Sequence, residues 1–261
     1  MEISLLGKKA LVGGSSKGIG EAVARQLALS GASVTLMARN VERMRALVGE
    51  LDRSQGQQHD WLQVDFNDFE ATKGHISTYF KTHDVDILVN NTQGPPAGSA
   101  LDQSIGAYQE AFDLLFKNAV YTTGLALGHM RKNQWGRIIN IASVSVKEPL
   151  PYLALSNSIR SALVSWAKSL ARDVAADGIT VNNTLTGYFD TDRIAQLNAK
   201  KAQDLGVPPE RVRSEMQAKV PAKRIGMPSE YGYLVAFLAS DQAAYITGTN
   251  IPIDGGILKS L

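Results

Sequence analysis

The stretch Lys9-Ala10-Leu11-Val12-Gly13-Gly14-Ser15-Ser16-Lys17-Gly18-Ile19-Gly20 decides the fold. Its first four residues read as a short buried strand, which Gly13-Gly14 ends. From Gly18 to Ser30 the apolar residues Ile19, Val23 and Leu27 recur at helical spacing, and Gly31 stops the run. Glycines between a strand and a helix let the backbone approach a phosphate closely. The helix start adds free N–H groups and the positive end of its dipole. The G-x-x-x-G-x-G spacing over 14–20 is a variant of the dinucleotide fingerprint. A glycine-rich turn can be only a turn; its place at a first strand–helix junction gives it weight.

Outward from that junction, strand-like runs fall at 33–38, 61–64, 86–89, 137–141, 179–182 and 250–253. Helical periodicity falls at 41–51 with Asn40 as its cap, 69–80, about 104–131, 151–176 opened by Pro151, and 229–238. This alternation predicts a Rossmann-type α/β fold. Its sheet is doubly wound, mainly parallel and about seven-stranded, with helices on both faces. There is no repeat, low-complexity tract or linker, so 1–261 reads as a single domain, with Pro95-Pro96 in a loop.

Composition narrows the function. With 44% hydrophobic and 20% charged residues the chain is globular, and a net charge of +2 gives no basic stripe for nucleic acid. Zero cysteines exclude thiolate catalysis and disulfides. His59, His75, His83 and His129 are not spaced as a metal pair, so no metal site is expected. No apolar run reaches the roughly 20 residues that span a bilayer, and the first residues lack a leader pattern, which predicts a cytoplasmic protein without membrane contact.

The second strand speaks to the cofactor. An acid about 20 residues past the glycine loop holds the ribose 2′-hydroxyl of NAD. Here the strand ends Thr35-Leu36-Met37-Ala38-Arg39. Arg39 and Lys17 suit a 2′-phosphate, so NADP(H) is predicted, against the plainer reading of two solvated cations. Asp65 and Asn90-Asn91 end the third and fourth strands, where ligands of open α/β sheets bind.

Several blocks together resemble the short-chain dehydrogenase/reductase family. They are the loop 14–20, Asp65, Asn90-Asn91-Thr92-Gln93-Gly94, Arg137-Ile138-Ile139-Asn140-Ile141-Ala142-Ser143, the block 177–182, Gly226-Met227-Pro228, Ile246-Thr247-Gly248 and Asp254-Gly255-Gly256. They are most similar to 3-oxoacyl-acyl-carrier-protein reductases. The resemblance implies cofactor contacts at Gly14, Ser15, Ser16, Lys17, Gly18, Ile19, Gly20, Arg39, Asp65, Asn91 and Gly187. It implies a small carbonyl or alcohol substrate, carried on a thioester in the nearest relatives, a lid over about 190–226, and a homotetramer. It also implies a tetrad of Asn, Ser, Tyr and Lys. Asn118 and Ser143 match, but Ser156 stands where the tyrosine belongs and Arg160 where the lysine belongs. Gly13 replaces a threonine, and Thr186-Gly187 replaces Pro-Gly.

Ser156 and Arg160 are four residues apart on one helix face. A serine is shorter and far less acidic than a phenol. Arg160 keeps its charge, can hold ribose hydroxyls and stabilise an alkoxide, and cannot readily relay a proton. Tyr152, one turn before Ser156 on the predicted helix, and Tyr188 are candidate stand-in acids; either can equally be packing. Three readings stay open: a carbonyl reductase or alcohol dehydrogenase with a rebuilt proton route, an NADP(H)-binding protein without turnover, and a non-redox enzyme in the same pocket.

In the lid, eight Lys and Arg against five Asp and Glu suit either an anionic substrate or a solvated face. Ile194, Leu197, Leu205, Val212 and Met216 are expected on its inner side. Leu163, Trp166, Leu170 and Val174 form a stripe suited to core or subunit interface.

Overall fold

Strand β1 (Lys9–Gly13) is central in the computed structural model, which describes residues 3–260. It pairs in parallel with β2 (Ser33–Ala38) on one side and β4 (Ile87–Asn90) on the other. With β3 (Asp60–Gln63), β5 (Gly136–Ser143), β6 (Ile179–Thr186) and β7 (Asn250–Ile253) the order is β3-β2-β1-β4-β5-β6-β7, every pairing parallel. The chain winds outward in one direction through β3 and in the other from β4. A crevice therefore opens between the carboxyl ends of β1 and β4.

Both sheet faces are covered, so the strands read as apolar runs rather than alternating ones. Ala10 and Val12 join Val23 and Leu27 of α1 (Gly18–Leu29), Met44 of α2 (Val41–Glu50) and Val235 of α9 (Pro228–Ala239) in one core. Leu11 points the other way, toward Ile76 of α3 (Phe69–Phe80), Ala111 of α4 (Ile105–Phe112), Met130 of α5 (Asn118–Lys132) and Leu155 of α6 (Ala154–Val174). No helix of the described residues is long and apolar enough to cross a membrane.

A polar row crosses these apolar strands. Asn90, Asn140, Asn183 and Asn250 are successive register partners on β4, β5, β6 and β7. Each amide donates to the next: Asn90 to Asn140 at 2.9 Å, Asn140 to Asn183 at 2.8 Å, Asn183 to Asn250 at 2.8 Å. The inner two are fully buried, so the ladder satisfies groups that could not otherwise be desolvated, and it locks the register of four strands near the site.

The structure departs from the sequence reading in several places. Helix α6 does not start at Pro151. Residues 151–153 are drawn into a turn because Gly98 donates to Tyr152 O (2.8 Å) and accepts from Ala154 N (3.2 Å). Tyr152 therefore lies off the helix and off the Ser156 stripe. The helical run 105–132 is one path, but a wide π turn over 113–117 separates α4 from α5. β5 and β6 run on to Ser143 and Thr186, because the two pair along their whole length. The lid folds as α7 (Asp192–Leu205) and α8 (Pro209–Lys219); Val212 is buried between them, but Leu205, at the end of α7, points to solvent. The stripe on α6 divides: Leu163 and Val174 are core, while Trp166 and Leu170 are partly covered, Trp166 edge-on to Phe116.

Replacing Asn140 by leucine strands the Asn183 carbonyl without a donor and leaves the Asn90 amide with only Thr123. We expect a loss of about 1–3 kcal/mol in urea unfolding. Asn250→Ala, at the exposed end of the ladder, should lose well under half of that.

Candidate active site

Asn91, one residue past β4, holds the crevice together. Its amide donates to Gly13 O at 3.0 Å. A side chain begun at Gly14 would stand 2.8 Å from the Asn91 amide nitrogen, and one begun at Gly20 2.9 Å from it. At Gly13 a Cβ would strike the Asn91 carbonyl. Gly14 and Gly18 also adopt positive φ, 56° and 60°. The loop is thus fixed by close backbone approach, and the glycine at 13 belongs to the same contact.

Helix α1 ends this loop with an open N-terminus. Helices α2, α3, α4 and α7 are capped by the side chains of Asn40, Asp68, Ser104 and Thr191. The N-cap of α1 is Lys17, whose side chain makes no cap bond. Unclaimed N–H donors beneath a glycine-lined surface fit a dinucleotide diphosphate. The Gly18 side faces Thr191 of the lid, whose methyl would stand 3.4 Å from a Cβ there.

The predicted cofactor residues differ in what their side chains do. Ser15 is buried and accepts from Met37 N at 2.9 Å, tying the loop to β2. Ser16 presents its carbonyl to Arg43 Nε at 2.5 Å. Ile19 packs on the core. Lys17 Nζ lies 3.1 Å from Asp192 of the lid, and Arg39 lies 3.8 Å from Asp65, both exposed and free to re-pair. Asp65 also accepts from Asn67 at 2.8 Å, closing the turn after β3. Gly187 lacks a side chain because Asp254 Cα would stand 2.6 Å from it. Arg43 was not singled out in the sequence; its signal was its place four residues after Arg39, in the first turn beyond the Asn40 cap.

Of the four positions the resemblance singles out, Asn118 and Arg160 line one cavity, Ser156 is bonded to Arg160, and Ser143 ends β5. Arg160 Nε donates to Ser156 Oγ at 3.2 Å and its Nη1 to Ile141 O at 2.5 Å. Burial draws the guanidinium down to about 10, so it stays charged at neutral pH. It lines a cavity with Asn90, Asn91, Thr92 and Asn118. Asn118 is buried just past the π turn. Its amide donates to Phe66 O, Asp113 O and Leu114 O, while its Oδ1 has no partner. An orphan acceptor lining the Arg160 cavity suits a bridging water. Ser143, partly exposed at the end of β5, accepts from Ser145 N at 3.1 Å and keeps its own proton for a ligand. Tyr188 meets Tyr152; burial first, then that neighbour, pushes the Tyr188 hydroxyl up to about 12. Among the described residues no cluster of His, Asp and Glu could hold a metal ion.

A second cavity is lined by Tyr188, Phe189, Gly226 and the Arg224–Glu230 pair, which is bidentate at 2.7 and 2.5 Å. Arg224, helped by Met227 N, holds the Glu230 carboxyl down to about 2.

The family model described as enoyl-(acyl carrier protein) reductase matches residues 14–258. The 3-oxoacyl-[acyl-carrier-protein] reductase FabG of Aquifex aeolicus is 31% identical, over 98% of this chain and all of that one. Oxidoreductase UcpA of Salmonella typhimurium is 36% identical, over 97% of this chain and 95% of that one. The crystal structure of L-sorbose reductase from Gluconobacter frateurii, complexed with NADPH and L-sorbose, superposes with a TM-score of 0.92 at 30% identity, covering both chains fully.

Because the Glu230 pKa lies below its ordinary 4.5 in the folded protein, its stabilisation is complete above about 4.5 and disappears as pH falls toward about 2. Glu230→Gln should therefore unfold at lower urea than the parent at neutral pH. The gap in midpoint should close steadily below pH 4.5.

Proposed function

The chain belongs to the short-chain dehydrogenase/reductase family, and from that premise we propose an NADP(H)-dependent oxidoreductase that interconverts a carbonyl and an alcohol through an atypical tetrad, Asn118, Ser143, Ser156 and Arg160. The observation that carries this reading is the Arg160 guanidinium, charged, bonded to Ser156 and lining the cavity with Asn118. The cofactor is supported by the open N-terminus of α1 and by Lys17, Arg39 and Arg43 around it, and a bound nicotinamide supplies the hydride.

The residues divide the remaining work. Ser143 donates to the carbonyl oxygen and orients it. Arg160 holds nicotinamide-ribose hydroxyls and faces the negative charge that grows on oxygen in the transition state. Ser156 accepts from Arg160 Nε, so it fixes the fork rather than supplying an acid. The alkoxide takes its proton from water held at Asn118 Oδ1 or entering from solvent. Tyr188 binds its proton too tightly to be the acid at neutral pH. The substrate is a small carbonyl compound, with an acyl-carrier thioester as one class, and the protein works in the cytoplasm as a homotetramer.

NADPH oxidation followed against ketones and 3-oxoacyl thioesters tests this. Turnover should be flat from about pH 6 to about pH 9, since no phenol titrates and the Arg160 guanidinium stays charged throughout. Arg160→Ala should lower kcat about 100-fold or more. Tight NADPH binding with no turnover on any substrate would instead favour a cofactor-binding protein.

A further inference from the structure

Two arginines border the cleft without a carboxylate partner. Arg160 gives its bonds to Ile141 O and Ser156 Oγ. Arg193, in the first turn of α7, donates to Pro95 O at 2.9 Å, and its guanidinium lies 3.6 Å from where a side chain on Gly94 would begin. The segment after β4 joins the two: Thr92 lines the cavity with Arg160, and Pro95 holds Arg193. The neighbouring cations are matched, Lys17 by Asp192, Arg39 by Asp65, Arg43 by Glu21, Lys117 by Asp113 and Arg213 by Asp190. No acidic side chain lines the Arg160 cavity.

Arg160 is half-buried and Arg193 exposed at the mouth of the cleft; desolvation lowers both guanidinium pKa values, and Arg193 adds its repulsion to Arg160. Two like charges held near each other without a counter-ion are unfavourable, and an anion between them removes the penalty. The planar fork of an arginine matches a carboxylate with two parallel bonds. Arg193 stands on the lid helix, so this contact would also draw the lid over the cleft.

We propose that Arg160 and Arg193 together select a substrate bearing a carboxylate near its reactive carbonyl: an oxo acid in reduction, the matching hydroxy acid in oxidation. Arg193 takes the carboxylate and Arg160 the carbonyl oxygen. A hydride adds to the carbonyl carbon while the C=O π pair moves to oxygen, which takes a proton from water. The dinucleotide is oxidised by two electrons, the carbonyl is reduced by two, and the carboxylate is unchanged. This deepens the reductase reading and rests on it.

The test compares acetoacetate with methyl acetoacetate, and 4-oxopentanoate with its methyl ester, on the full chain with NADPH. The acids should exceed their esters about tenfold or more in kcat/KM. Arg193→Met should bring that ratio near one, chiefly by raising KM for the acids, and Arg193→Lys should keep part of it. NADPH affinity by calorimetry should change less than about twofold in both. Equal rates on acid and ester in the parent would overturn the proposal. So would an Arg193→Met protein that binds NADPH weakly yet keeps the preference, since Arg193 would then serve the cofactor. If no compound is turned over, the reductase reading fails on its own. The proposal is then decided by quenching of bound NADPH fluorescence: acid-selective binding that Arg193→Met abolishes upholds it, and no such binding ends it.

Discussion

The site depends on the contact between Asn91 and three glycines. β1 and β4 are neighbours from which the chain winds in opposite directions, and what joins their carboxyl ends is one amide donating to Gly13 O. Residues with side chains at 13, 14 or 20 would collide with Asn91 or with the loop itself. Closing this gap does two things together. It brings the start of α1 to the mouth of the crevice with its N–H groups unclaimed, and it places the segment after β4 against the Arg160 cavity. The open start of α1 and the Arg160 cavity thus share one wall.

Charge organises the rest. Around the start of α1 Lys17, Arg39 and Arg43 rest on carboxylates at the surface, where such pairs are weak. Around the cavity no carboxylate answers Arg160 or Arg193. A paired cation is a reserve for one ligand; an unpaired one, half-buried at Arg160 and exposed at Arg193, is open to another. On the proposed reading, Ser156 and Arg160 make a site that stabilises charge without donating protons itself.

Much of this was legible in the sequence because it rests on local rules. The glycine loop, the α2 cap at Asn40 and the parallel, about seven-stranded sheet follow from periodicity, turn chemistry and the resemblance those motifs carry. What escaped rests on distant partners. Asn140 and Asn183 look like polar interruptions of apolar strands until the register sets them side by side. Tyr152 seemed helical because the bridge from Gly98, more than fifty residues earlier, could not be read locally. Leu205 obeyed the apolar stripe but fell at a helix end where nothing covers it. Arg193 was one of eight cations in the lid until the structure showed which carboxylates were already engaged.

Calorimetric titration with NADPH and with NADH reaches the foundation of the account most directly. The proposed phosphate seat with its three cations predicts that NADPH binds at least about tenfold more tightly, and that Lys17→Ala with Arg39→Ala and Arg43→Ala removes the difference. Equal affinity for both dinucleotides, or no heat with either, would contradict it.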